Sequence, residues 1–140
     1  MQIHPLVDQL SVAAQIDADD IATLAARGFR SVINNRPDGE AEGQPASALL
    51  EAAARQAGLA YRYIPVVSGQ LSDAQVQAFA DALDALPRPA LAFCRTGTRS
   101  TMLWALQADD PADEILQIAQ EAGYDLSALR SRLSTNRRGR

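Results

Sequence analysis

The chain has 140 residues, 47% hydrophobic and 21% charged, with a formal net charge of -4. That suits one domain with its own core and argues against nucleic acid or an anionic membrane as the main partner. One cysteine and one histidine exclude an intramolecular disulfide and a Cys/His zinc site. All 13 basic residues are Arg, so lysine Schiff-base chemistry is excluded too.

In chain order, the start lacks a basic segment followed by an apolar run, and no stretch reaches the length of a membrane span. The expectation is a cytoplasmic protein without metal or organic cofactor. Leu10 to Ile16 reads as a short strand or hairpin. Asp17 suits an N-cap, with Asp19 and Asp20 in the first turn, where the helix dipole favours acids. Ile21, Leu24 and Ala25 give that helix an apolar face, and Gly28 ends it. Phe29 to Asn34 reads as a buried strand, followed by a polar loop through Gly43. A helix from Pro45 to Gln56 stops at Gly58. Leu59 to Val67 reads as the next strand, and Ser72 with Asp73 opens a helix through Leu86. Ala90 to Phe93 is a short apolar strand. A helix then runs from about Ser100 to Gln107, and helical pieces cover Pro111 to Ala122 and Leu126 to Leu133. Residues 1–133 form one catalytic domain, and 134–140 form a basic tail. Strands alternating with amphipathic helices predict a three-layer α/β domain: a mainly parallel central sheet flanked by helices.

Cys94-Arg95-Thr96-Gly97-Thr98-Arg99-Ser100 follows the last strand and opens a helix. Ligand sites in such sheets lie at the carboxyl ends of the strands. Gly97 admits backbone angles that other residues avoid. Successive amides in such a loop form an anion nest, and the helix N-terminus adds positive potential. Arg99 can fork onto a tetrahedral oxyanion. Such surroundings favour the thiolate form of a cysteine, which removes the need for a histidine base. Cys94 is the candidate nucleophile and Arg99 its catalytic partner. Arg95, Thr96, Gly97, Thr98 and Ser100 are candidate anion-binding residues, and Ser100 or Thr101 a candidate donor to the sulfur. The alternative is an inert core cysteine.

Asn34-Asn35-Arg36-Pro37-Asp38-Gly39-Glu40, then Gly43-Gln44-Pro45, together with Phe93 to Ser100, resemble the beta-lactamase hydrolase-like family over roughly residues 5–110. The resemblance implies a tyrosine-phosphatase-like fold, in a domain that occurs alone or fused to a sulfur dioxygenase domain. A separate dioxygenase partner is implied by the same analogy.

The chain departs from the phosphatase pattern in three places. Phe93 stands where that loop has His. Four residues, not five, separate Cys94 from Arg99. Ile64-Pro65-Val66-Val67 is followed by Ser68, where a general-acid Asp is common. Asp73 substitutes only if the loop bends inward; otherwise it is a first-turn residue of its helix. The loop itself resembles the Cys-Arg-x-Gly-x-Arg-Ser of single-domain rhodaneses.

Three readings follow. The first is a sulfurtransferase that carries sulfane sulfur from thiosulfate or a persulfide as a Cys94 persulfide. Sulfite leaves without a proton, whereas an ester oxygen needs a general acid, typically worth ~10²–10⁴-fold. The second is a phosphatase with a Cys94 phosphocysteine and Asp73 as acid. The third is a non-catalytic anion or persulfide sensor. In each the ligand is a small anion: thiosulfate, persulfide or phosphoester. Arg36, after the Phe29 to Asn34 strand, either draws that anion in or holds a turn through a carboxylate.

Overall fold

A computed structural model describes residues 1–133. The basic tail expected over 134–140 lies outside the described residues. The chain opens with an antiparallel hairpin of β1 (Ile3–Val7) and β2 (Leu10–Ala13), turned at Gln9 with φ 69°. Helix α1 (Ala18–Ala26) follows, then β3 (Ser31–Asn34), α2 (Ser47–Ala57), β4 (Ala60–Tyr63), α3 (Asp73–Ala85), β5 (Ala90–Phe93), α4 (Thr98–Gln107) and α5 (Ala112–Ala122). A 3₁₀ turn at Ser127–Leu129 follows, and the chain is helical again over 130–133.

The five strands lie in the order β1-β2-β5-β3-β4, and only the β1–β2 pair is antiparallel. Their register decides where chemistry can sit. Ala13 and Asn34 both pair with Phe93, and Asn34 also pairs with Tyr63. The four parallel strands therefore end on one line. The segments after them all emerge at that sheet edge, the usual place for a ligand site in such folds.

Side chains alternate across the sheet with period two. Val12, Ile33, Ala90 and Ala92 join a core with α3, α4 and α5. Ala13, Val32, Leu91 and Phe93 join a second core with α1 and α2. Both faces are covered, as the sequence predicted. No helix among the described residues is long and apolar enough to cross a membrane.

Local chemistry explains most boundaries. Asp17 caps α1 and Ser72 caps α3, each within a reciprocal capping box. Gly58 ends α2 in the left-handed conformation.

Strand β1 has no counterpart among the elements expected from the sequence, and two expectations are corrected. The strand expected over Leu59 to Val67 stops at Tyr63, because Pro65 has no N–H to continue the ladder. Helix α4 begins at Thr98, two residues early, which puts Arg99 and Ser100 in its first turn.

Candidate active site

Cys94 follows β5 directly and is fully covered. Its sulfur accepts a hydrogen bond from the Gly97 amide at 3.1 Å. Gly97 is the N-cap of α4 with φ 97°. A Cβ there would run into the Tyr124 hydroxyl, so two constraints require glycine. Tyr124 in turn donates to the Thr96 carbonyl at 3.1 Å and packs edge-on against His4. Burial raises the Tyr124 pKa, with the Cys94 charge adding to it.

The expected hydroxyl donors to sulfur are not used that way. Ser100 donates to Asn35 Oδ1 at 2.8 Å, and Thr101 donates to the Gly97 carbonyl at 2.7 Å. The backbone does the work instead. The amides of Arg95, Thr96, Arg99 and Ser100 have no acceptor among the described residues. Amides at a helix start have no partner within the helix, and buried ones call for an acceptor from elsewhere. Ser100 is fully buried and Arg99 nearly so.

Arg99 is held in place before any anion arrives. Nη1 donates to Glu40 Oε2 and to the Val66 carbonyl, both at 2.7 Å. Nη2 donates to Glu40 Oε1 at 2.9 Å. Of the five guanidinium protons, these bonds leave Nε–H and one on Nη2, adjacent on a single edge. The Glu40 hydrogen bonds raise the Arg99 pKa, with the nearby Cys94 sulfur adding to it. Glu40 also accepts from Arg36 Nε at 3.0 Å. The Arg99 hydrogen bonds, opposed by burial and assisted by Arg36, hold the Glu40 pKa at about 2.

Arg36 is not the anion collector that one reading expected. It is buried, bonded to Glu40 and to Gln15 Oε1 at 3.1 Å, and does not line the cavity. The alternative, a turn held through a carboxylate, is what the geometry shows. Gln15, Asn35, Glu40 and Tyr124 were missing from the site read in the sequence. Asn35 is fully buried and joins three segments: its side chain donates to the Ile64 carbonyl and accepts from Ser100, and its amide donates to the Phe93 carbonyl.

Beside the loop lies a cavity of about 320 Å³. It is lined by Arg95, Thr96, Thr98, Arg99 and Met102, by the Val66–Gly69 segment and Leu71, and by Arg132. No acidic residue lines it. The inward bend that Asp73 needs to serve as an acid is absent, and Asp73 is a first-turn residue of its helix. Its side chain is 98% exposed, outside the cavity, and lies 3.9 Å from Arg132. As the first residue of α3 it points with that helix's start into solvent. Among the described residues no group of three or more His, Cys, Asp and Glu side chains is arranged to hold a metal ion.

A cysteine at the carboxyl end of a central parallel strand, with an arginine on the next helix's first turn, defines a tyrosine-phosphatase-like α/β domain. PTPMT1 shares that fold, with a TM-score of 0.73 at 14% identity, covering 99% of this chain and 95% of the other. A sequence model of the "Beta-lactamase hydrolase-like protein, phosphatase-like domain" matches residues 2–110, and the chain belongs to that family. It is 38% identical over 130 residues to the beta-lactamase hydrolase-like protein of Xylella fastidiosa, covering 90% of this chain and 30% of the other. The chain thus spans less than a third of that relative's length. A crystal structure from Neisseria meningitidis, provisionally named a phosphatase, is 35% identical with a TM-score of 0.88, covering 98% of this chain and 99% of the other. These names stand with the phosphatase alternative; none of them mentions sulfur transfer.

Proposed function

We propose that this domain is a cysteine-dependent sulfurtransferase on a phosphatase-like scaffold. The observation that supports the reading is that no acid among the described residues lines the cavity to protonate a leaving group. No carboxyl lines the cavity and Asp73 faces solvent. Glu40, with its pKa at about 2, is ionised at neutral pH and fully occupied by two arginines. Ser68 has only a hydroxyl. Chemistry here suits a leaving group that departs as a stable anion.

The Cys94 thiolate attacks the outer sulfur of thiosulfate. A new S–S bond forms, the bond to the sulfonate sulfur breaks, and its electron pair leaves with sulfite. Charge is conserved and no proton moves. The free amides and the open edge of Arg99 hold the oxyanion end by preorganised donors. Cys94 is fully covered, so attack requires the loop from Arg95 to Thr98 to open. A cytoplasmic setting keeps such a lone thiol reduced, and by family analogy a dioxygenase domain or partner would consume the persulfide.

The test is intact-mass spectrometry after thiosulfate treatment, followed by addition of cyanide. One added sulfur on Cys94 and release of thiocyanate are expected, and both vanish in Cys94→Ser. If neither product forms, the reading is wrong. Added sulfur without turnover to cyanide or a thiol would favour the sensor.

The family relationship supports the second reading, a phosphoric monoester hydrolase with a phosphocysteine. Without an acid it would favour esters whose alcohol leaves readily. Phosphate release from an aryl phosphate, dependent on both Cys94 and Arg99, is its signature.

A further inference from the structure

The cavity is larger than one tetrahedral oxyanion requires. At about 320 Å³ it falls within the roughly 300–1,000 Å³ of clefts that hold small organic molecules. Its lining is also locally inverted in charge. Arg95, Arg99 and Arg132 face it with no acidic residue among them, on a chain of net charge -4. Such a cleft concentrates anions.

The three arginines are not equivalent. Arg99 is nearly buried and locked to Glu40. The Arg95 side chain is exposed and has no hydrogen-bond or ion-pair partner among the described residues. Arg132 has a 3.9 Å contact with Asp73, whose side chain is 98% exposed. A solvated pair of that kind is weak, so a ligand carboxylate can replace it. Val66, Leu71 and Met102 form the apolar part of the wall. The cleft thus combines a wall from the loop after Cys94, an apolar surface and two available guanidinium groups.

We propose that Arg95 and Arg132 form a second anion subsite, which takes the carboxylate of the organic thiol that removes sulfur from Cys94. The assignment rests on the sulfur-transfer reading. The acceptor's thiolate attacks the outer sulfur of the Cys94 persulfide. The bond to Sγ breaks, its electron pair restores the Cys94 thiolate, and the acceptor leaves as an organic persulfide. No oxidant, reductant or proton donor is needed. The carbon skeleton lies along the apolar wall while the carboxylate forks onto guanidinium.

The experiment compares 3-mercaptopropionate with 2-mercaptoethanol as acceptors for the full chain loaded with thiosulfate. In the wild type, 3-mercaptopropionate is preferred in kcat/KM. Arg132→Ala should cut that preference roughly tenfold, mainly by raising KM for the carboxylated thiol, and Arg132→Lys should restore part of it. A preference that is the same in wild type and Arg132→Ala, with Cys94 visibly persulfurated by intact mass, overturns the subsite alone. If Cys94 gains no sulfur from thiosulfate, sulfur transfer falls and the acceptor assignment falls with it.

Discussion

Replacing Glu40 by glutamine probes the preorganisation of Arg99 directly. The carboxylate takes three N–H donors from two arginines, at 3.0, 2.7 and 2.9 Å. Hydrogen bonds to charged groups contribute roughly 1.5–3 kcal/mol each. The Glu40 side chain is still 25% exposed, so solvent screens part of that sum. Glu40→Gln keeps the shape, removes the charge and turns one acceptor into an NH₂ group facing guanidinium. The expected loss is about 2 kcal/mol, a fall of roughly 6–8 °C in Tm for a chain of this size.

The pH dependence identifies the cause. Glu40 titrates at about 2 in the fold against 4.5 ordinarily. A group with a lowered folded pKa stabilises fully above its unfolded pKa and loses that contribution as pH falls through the folded one. The stability gap between wild type and Glu40→Gln should therefore be full at neutral pH and shrink between pH 4.5 and about 2. Urea unfolding of both proteins at neutral pH and at about pH 3 measures it. Persulfide formation should also slow by roughly tenfold to a hundredfold, the cost of a misplaced catalytic group. A gap that does not change with pH, or an unchanged rate, refutes the assignment.

Asp73→Asn should leave persulfide formation within about twofold of wild type, because solvent, not the cavity, surrounds that carboxylate; a large loss would return Asp73 to the mechanism. Gly97→Ala should cost more than about 2 kcal/mol, combining a left-handed backbone penalty of roughly 1–2 kcal/mol with displacement of Tyr124. Adding Tyr124→Ala should recover part of that loss, whereas strictly additive effects in the double-mutant cycle would show that the two sites are independent. Iodoacetamide should alkylate Cys94 much more slowly than free cysteine, since the residue is fully covered. Labelling as fast as free cysteine would contradict the closed loop.

What the sequence disclosed was what local grammar encodes. The capping boxes at Asp17 and Ser72, the stop at Gly58 and the strand–loop–helix around Cys94 each depend on neighbours a few residues apart. The rest of the site depends on distant pairings. Glu40 and Arg99 are 59 residues apart, Asn35 and Ser100 are 65 apart, and Tyr124 and Thr96 are 28 apart. No periodicity marks such partners, although Asn35 and Glu40 stood in the motif that carried the family resemblance. The role of Arg36 stayed open for the same reason: an arginine after a strand reads alike whether it meets a substrate or a carboxylate. The hairpin strand β1 was hidden because His4 and Pro5 interrupt its apolar pattern.

The loop gathers features that are unfavourable one by one. Gly97 sits at positive φ, Arg99 places a cation at the positive end of α4, and several amides lack acceptors. A cation there opposes the helix dipole by typically 0.3–1 kcal/mol. Each strain has a distant counterweight: Glu40 for the Arg99 charge, Tyr124 for the turn at Gly97, Asn35 for the start of α4. Those contacts stabilise the loop but leave several of its amides without an acceptor among the described residues, which is what an arriving anion supplies. The same arrangement explains why the missing acid matters more than the scaffold. A nest built in advance for a tetrahedral anion serves phosphate and thiosulfate alike. The fate of the leaving group separates them, and among the described residues no carboxyl lines this cavity to hand that group a proton.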